Sequence, residues 1–246
     1  MIGKNLVDFL NEELKEYNIV EKLVYLADGH PDKVVFTTSF GYEDQVITDL
    51  IFSNNIDINV VTLDTGRLFE ETYKVYRSTL EKYGKPIKAF FPPTEKVEQL
   101  LADKGPFSFY ESLENRKECC FIRKVIPLKR VLAGNEIWIT GLRASQSENR
   151  SDLHEFEWDE GNQIIKFNPL LDWSLEQTID YVKENNVPYN VLHDRGFVSI
   201  GCEPCTRAIR PGEDFRAGRW WWEQNSGKEC GLHETQVSPG SSAGGD

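Results

Sequence analysis

Five cysteines carry the strongest chemical signal in this chain. Cys119 and Cys120 are adjacent, Cys202 and Cys205 form a C-x-x-C with Glu203 and Pro204 between them, and Cys230 stands alone. Neighbouring Cys119 and Cys120 do not easily bridge each other, because their α-carbons lie about 3.8 Å apart across a trans peptide, short of the usual disulfide separation. The C-x-x-C has the spacing of both a metal clip and a redox dithiol. Four thiolates suit a tetrahedral zinc ion or an iron–sulfur cluster. Side chains of consecutive residues diverge, which is awkward around one small ion. A cluster offers separate irons, and each neighbour can take its own. The pattern therefore favours a [4Fe–4S] cluster on Cys119, Cys120, Cys202 and Cys205.

The surroundings of these cysteines are cationic. Arg116, Lys117, Arg123, Lys124, Lys129 and Arg130 face a single acid, Glu118, in the stretch from 116 to 130. Such a run is commonly a solvated helix face. Beside thiolate ligands it can instead balance an anionic cluster and an anionic substrate. Cys230 sits between Lys228 and His233, cations that can lower a thiol pKa and favour a nucleophilic thiolate; the alternative is a spare thiol. Gly212, Gly218, Gly227 and Gly231 predict a mobile segment around it. His30, His154 and His193 read as ordinary surface or capping histidines.

A sheet must position these groups. Strands are expected at Lys33–Thr37, Ile58–Leu63, Ile87–Phe91, Ile137–Thr140 and Ile164–Phe167. Helices are expected up to Ala27, over Glu43–Phe52 and Leu68–Tyr83, and from Ser174, as cap, to Glu184. Alternation of strand and helix predicts an α/β fold, a mostly parallel sheet with helices on both faces. Ligands of such a sheet bind outside the carboxyl ends of its strands. Three loops leave those ends: Thr37-Thr38-Ser39-Phe40-Gly41, which opens a helix and suits a phosphate; Leu63-Asp64-Thr65-Gly66-Arg67; and Thr140-Gly141-Leu142-Arg143. Together they suggest a nucleotide site, without the spacing of a Walker loop or a G-x-G-x-x-G fingerprint. The expected organisation is a nucleotide-binding domain over 1–205, a segment over 206–235 carrying Cys230, and a disordered Gly/Ser-rich tail over 236–246.

Composition narrows the classes. The 246 residues carry a net charge of −12, a poor match to a nucleic-acid or anionic-membrane binder. No apolar run approaches the ~20 residues of a membrane span. Acidic residues interrupt the apolar positions at the N-terminus, unlike a signal peptide. The expected location is the cytoplasm, where cysteines stay reduced, metal-bound or reactive.

These motifs, joined by Gly201 to Thr206, Gly218-Arg219-Trp220-Trp221-Trp222 and Lys228-Glu229-Cys230-Gly231-Leu232-His233, resemble those of the assimilatory adenylyl-sulfate (APS) reductases, the cluster-bearing branch of the phosphoadenylyl-sulfate (PAPS) reductase family. The resemblance covers roughly residues 30 to 233. It implies an adenine-nucleotide α-hydrolase-like fold with a modified pyrophosphate loop at Ser39, Phe40 and Gly41. It implies attack of Cys230 on the sulfate sulfur of APS, an S-sulfocysteine, release of AMP, and release of sulfite by thioredoxin. The cluster would not itself supply electrons. Cations must offset repulsion between a thiolate and an anionic sulfate; Lys124, Arg143, Arg216 and Arg219 are the candidates. Leu63, Gly66 and Arg67 would shape the nucleotide pocket, and His233 would contact the nucleotide or orient the tail. The tryptophans would anchor the tail on the body. A homo-oligomer fits an enzyme of this kind. The alternatives are PAPS or dual APS/PAPS reduction, an ATP-dependent tRNA-thiolating enzyme, and a nucleotide-binding iron–sulfur sensor. The short SFG loop and acidic charge argue against the second, and the third leaves Cys230 without a role.

Overall fold

The computed structural model describes residues 2–146 and 153–223. Two amphipathic helices, α1 (Ile2–Glu13) and α2 (Ile19–Gly29), precede the sheet. Asn18 and Glu21 form a capping box that starts α2. The sheet follows as β1 (Val34–Thr38), β2 (Asn59–Leu63), β3 (Lys88–Phe90), β4 (Ile137–Ile139), β5 (Phe156–Asp159) and β6 (Ile164–Phe167). Helices α3 (Tyr42–Ser53), α4 (Glu70–Tyr83), α5 (Thr94–Lys104), α6 (Leu113–Cys120), α7 (Ile126–Leu132) and α8 (Leu175–Glu184) lie between or after the strands. Ser174 caps α8 as the sequence predicts.

The spatial strand order is β3-β2-β1-β4-β6-β5, and only the β5–β6 edge pairing is antiparallel. Alternate residues feed opposite faces. Val34 and Phe36 of β1, with Ile137 and Ile139 of β4, pack under α1, α2, α3 and α8. Val35 and Trp138 point the other way, toward Leu128, Val131 and Leu132 of α7. Both faces are covered, which is why the central strands are apolar almost throughout. Among the described residues no helix is long and apolar enough to cross a membrane.

From β1 the chain runs outward to β2 and β3, then returns to β4 on the other side of β1. That reversal is a topological switch point, and it opens a crevice at the carboxyl ends of β1 and β4.

The cysteine pair lies in one interrupted helix. α6 passes into a π-helical turn, Phe121–Val125, which passes into α7. Ile126 N–H bonds back to Phe121 O, the i→i−5 pattern. Pro127 has no N–H to give the preceding turn and its ring crowds a carbonyl there, so a widened turn relieves the conflict.

Candidate active site

The loop after β1 is built around one carboxylate. Ser39 N–H and Oγ–H both donate to Asp44 Oδ2, at 2.5 and 2.6 Å. Phe40 N–H donates to Thr38 Oγ1 (3.1 Å), and Phe40 itself holds a left-handed φ of 62°. That conformation is strained for a bulky side chain and persists where the surroundings enforce it. Here burial and stacking on Tyr76, 5.0 Å between centroids, do so. Gly41 then caps α3, whose amino terminus faces the crevice. Asp44 is fully enclosed, and burial pushes its pKa up to about 6 although Ser39 pulls it down. A Cβ at Gly141 would overlap Asp44 Oδ1, so the loop after β4 approaches this carboxylate only as glycine.

A cleft of about 230 Å³ occupies the switch point. Ser39, Phe40 and Gly41 line one wall, Leu63 and Thr65 a second, and Gly141 and Leu142 a third. Lys124, Arg216 and Arg219 line it as well, and Cys202 joins them. The expected phosphate loop, three of the four expected cations and one expected cluster ligand therefore share a single cavity.

Three predicted residues stand elsewhere. Arg143 is 1 % exposed and turned away: its Nε donates to Glu43 Oε1 at 2.7 Å and its Nη1 to Ser145 Oγ at 2.6 Å. It braces the start of α3 against the loop after β4. Asp64 Oδ1 accepts Gly66 N–H (2.8 Å), an Asx turn in which Gly66 takes φ 70°. That turn points Gly66 and Arg67 away from the cleft wall. Arg67 stacks over Phe109, donates to Pro106 O, and lies on the cysteine side.

The cysteines gather on the far side of Cys202. Cys119, Cys202 and Cys205 are buried together with Phe109, Ile122 and Trp220. Thr65 Oγ1 lies 3.2 Å from Cys202 Sγ. Burial raises the Cys119 pKa, against the pull of Arg123 and Arg67. Burial, with Cys202 and Cys120 nearby, pushes Cys205 up to about 12, against Lys124 and Arg219. Arg116 hydrogen-bonds Cys120. Each described cysteine thus senses another sulfur, a cation, or both. The cationic run is not a solvated face throughout, because Arg116 and Arg123 are buried against these sulfurs.

The donor set fits an anionic sulfur-rich group. Among the described residues Trp220 Nε1, Arg123 Nε and Arg219 Nε are buried donors without an acceptor. All three belong to residues packed on, or electrostatically felt by, the cysteines. Orphaned buried donors are costly unless an acceptor arrives. Among the described residues no three side chains close on a single ion. Cluster ligands each take a separate iron, so they need not converge that far.

Residues 206–223 are fastened to the body. Thr206 bridges to Arg219, Arg207 N–H donates to Gly218 O, and Trp220 N–H donates to Cys205 O. Trp220 is buried at a left-handed φ of 42°, with Arg116 and Arg219 on its ring at 4.5 and 4.9 Å. Arg116 also forks onto Glu223, at 2.9 and 3.1 Å. Trp220 and Trp222 pack on the body and anchor this segment, while Trp221 is exposed. Cutting the Arg116–Glu223 pair with Arg116→Ala leaves the partly buried Glu223 carboxylate uncompensated. It should cost about 3 kcal/mol of stability, read by denaturant unfolding. Cys230 and His233 lie outside the described residues.

Some site residues escaped the sequence reading. Thr62 lines the cleft from a strand end, and Ser199 and Ile200 from the loop before Cys202, while Thr37 and Thr38 line it from the first strand-end loop, where the sequence marks them. Asp44 could have been found from its place in the first turn behind Ser39-Phe40-Gly41. His193, read as a surface or capping residue, lines the cleft instead.

Residues 33–208 match the phosphoadenosine phosphosulfate reductase domain. An adenosine 5'-phosphosulfate reductase of Burkholderia cepacia is 50 % identical over 217 residues, covering 88 % of this chain and 86 % of its own. One from Agrobacterium fabrum (strain C58) is 49 % identical over 224 residues, covering 91 % and 86 %. Among solved structures, a phosphoadenylyl-sulfate reductase from Candida auris in a phosphate complex superposes with a TM-score of 0.68 at 32 % identity, over 82 % of this chain and 96 % of that one. Yeast FAD synthetase shares the fold alone, with a TM-score of 0.53 at 15 % identity over 82 % of this chain and 67 % of that one. The match over residues 33–208 and relatives near 50 % identity along most of both chains show that the chain belongs to the phosphoadenosine phosphosulfate reductase domain family.

Proposed function

We propose that the protein reduces adenylyl sulfate to sulfite and AMP in sulfate assimilation, in the cytoplasm. The observation that carries this reading is the single cleft shared by the phosphate loop, by Lys124, Arg216 and Arg219, and by Cys202. The names of relatives near 50 % identity favour adenylyl sulfate over its 3′-phosphorylated form.

In this reading the Ser39–Gly41 loop and the amino terminus of α3 hold the α-phosphate, while Leu63 and its neighbours hold the nucleoside. Lys124, Arg216 and Arg219 face the sulfate end and offset the charge of an approaching thiolate. Cys230 supplies that thiolate. Its sulfur bonds to the sulfate sulfur, the bond from that sulfur to the phosphate oxygen breaks, and the electron pair leaves on AMP. A thioredoxin thiolate then attacks Cys230 Sγ and expels sulfite. Its second thiol resolves the mixed disulfide, so the dithiol provides both electrons. Arg67 and Arg143 act indirectly, Arg67 beside the cysteines and Arg143 through Glu43.

Cys119, Cys120, Cys202 and Cys205 would hold a [4Fe–4S] cluster. Bound there, it would contribute a fixed charge beside the sulfate end. Arg116, Arg123 and Trp220 would donate toward its sulfurs. Lys124, which lowers the Cys205 pKa and also lines the cleft, joins the two sites electrostatically.

Anaerobic incubation with adenylyl sulfate, without reductant, tests the reading. Intact mass should rise by one SO₃ group, mapped by peptide fragmentation to Cys230, with one AMP released. AMP release without a protein adduct would sink the covalent route.

A further inference from the structure

His193 belongs to the short turn His193–Arg195 and faces the cleft. Its ring stacks on Tyr42, the first residue of α3, at 4.0 Å and 15°. Its Nδ1 lies 2.7 Å from the carbonyl oxygen of Phe197. A carbonyl only accepts, so Nδ1 carries the hydrogen and Nε2 is a bare lone pair in the neutral ring. Burial holds the His193 pKa down, against Phe197, Glu43 and Asp194. The same Nε2 is buried and has no partner among the described residues. A buried acceptor left unpaired is an exception that calls for an explanation. Stacking and the Phe197 bond fix the ring, so Nε2 cannot rotate to find one.

Resting on the proposed nucleotide site, we infer that His193 Nε2 reads a neutral hydrogen-bond donor on the bound nucleoside, either the exocyclic amine of adenine or a ribose hydroxyl. An acceptor there gains nothing from an anionic group. Glu43 and Asp194, close enough to act on the ring, add to the exclusion. His193 is thereby a specificity-determining residue. If the donor is the 3′-hydroxyl, it also discriminates against a 3′-phosphate.

Equilibrium binding of AMP tests this without the cluster or turnover. Four analogues each change one feature: IMP lacks the amine, 2′-deoxy-AMP and 3′-deoxy-AMP each lack one hydroxyl, and adenosine 3′,5′-bisphosphate replaces the 3′-hydroxyl donor with a phosphate. One of the first three should bind the wild-type chain about tenfold more weakly than AMP, and that loss should vanish in His193→Phe, which keeps the stacking on Tyr42. His193→Leu repeats the test should phenylalanine unsettle the fold. A merely structural role would lower the affinity for every analogue equally. If no analogue's loss depends on residue 193, the inference is overturned while the nucleotide site stands. If AMP fails to bind the wild-type chain, both fall together.

Discussion

Cys230→Ser is expected to cut sulfite formation on the order of 10⁴-fold or more, with the brown absorbance of the proposed cluster unchanged. The size follows from chemistry. At neutral pH a serine hydroxyl is almost wholly protonated, whereas a thiol flanked by Lys228 and His233 can reach its thiolate. The other cysteines cannot substitute. Cys119, Cys202 and Cys205 are buried, and the pKa values of Cys119 and Cys205 are raised, so neither presents a free thiolate. Nor is any of the four without a partner, since Cys120 and Cys202 already have polar neighbours. The variant should still bind AMP, because the phosphate loop and the nucleoside walls are built from other residues. Sulfite assay, visible absorbance and AMP binding on one preparation separate the outcomes. Full activity with intact absorbance would remove the nucleophile from residue 230. Loss of both activity and absorbance would make it a fifth structural thiol.

The central sheet was readable because both faces of β1, β4 and β6 are buried, which leaves continuous apolar runs such as Val34-Val35-Phe36 and Ile137-Trp138-Ile139. Strand ends moved by only a residue or two. β5 is harder to read because it is an antiparallel edge strand of only four residues, Phe156–Asp159, too short for its apolar/polar alternation to stand out. α5 was missed for a different reason: it lies on the surface and buries only Leu100. The π-helical turn has no periodicity of its own, and only Pro127 hinted at it. For the site, composition could mark Cys119, Cys120, Cys202 and Cys205, since few other patterns explain a pair plus a C-x-x-C. It could not tell which arginines reach the cleft. Arg143 follows a strand end as a ligand-binding arginine would, yet Glu43, a hundred residues earlier, takes its guanidinium. That contact depends on the β1–β4 pairing, which no local window contains. His193 was invisible for the same reason, because its stacking partner Tyr42 comes from the far side of the switch point.

Arg219 is the cation on which the cleft and the cysteines converge. It lines the cleft, lowers the Cys205 pKa and lies on the Trp220 ring. A Cβ at Gly201 would collide with its guanidinium, so the backbone before Cys202 is kept bare for it. Among the described residues its Nη1 has only long contacts to Ser199 Oγ and Ile200 O, 3.3 and 3.4 Å, and its Nε is a buried donor without an acceptor. A buried guanidinium so poorly satisfied by protein is poised for an anion that arrives with the substrate. Arg219→Ala should therefore slow adduct formation on Cys230 by about 10²–10³-fold in single turnover, the range seen when one preorganised donor to developing charge is removed. AMP affinity should fall much less, because AMP lacks the sulfate. Arg219→Lys should recover only part of the rate, since lysine restores the charge without the planar fork that stacks on Trp220. If the guanidinium served packing alone, Arg219→Ala would lower the melting temperature and leave the single-turnover rate of the folded fraction unchanged. That result would move the sulfate-facing role to Lys124 and Arg216, the two other predicted cations on the same wall.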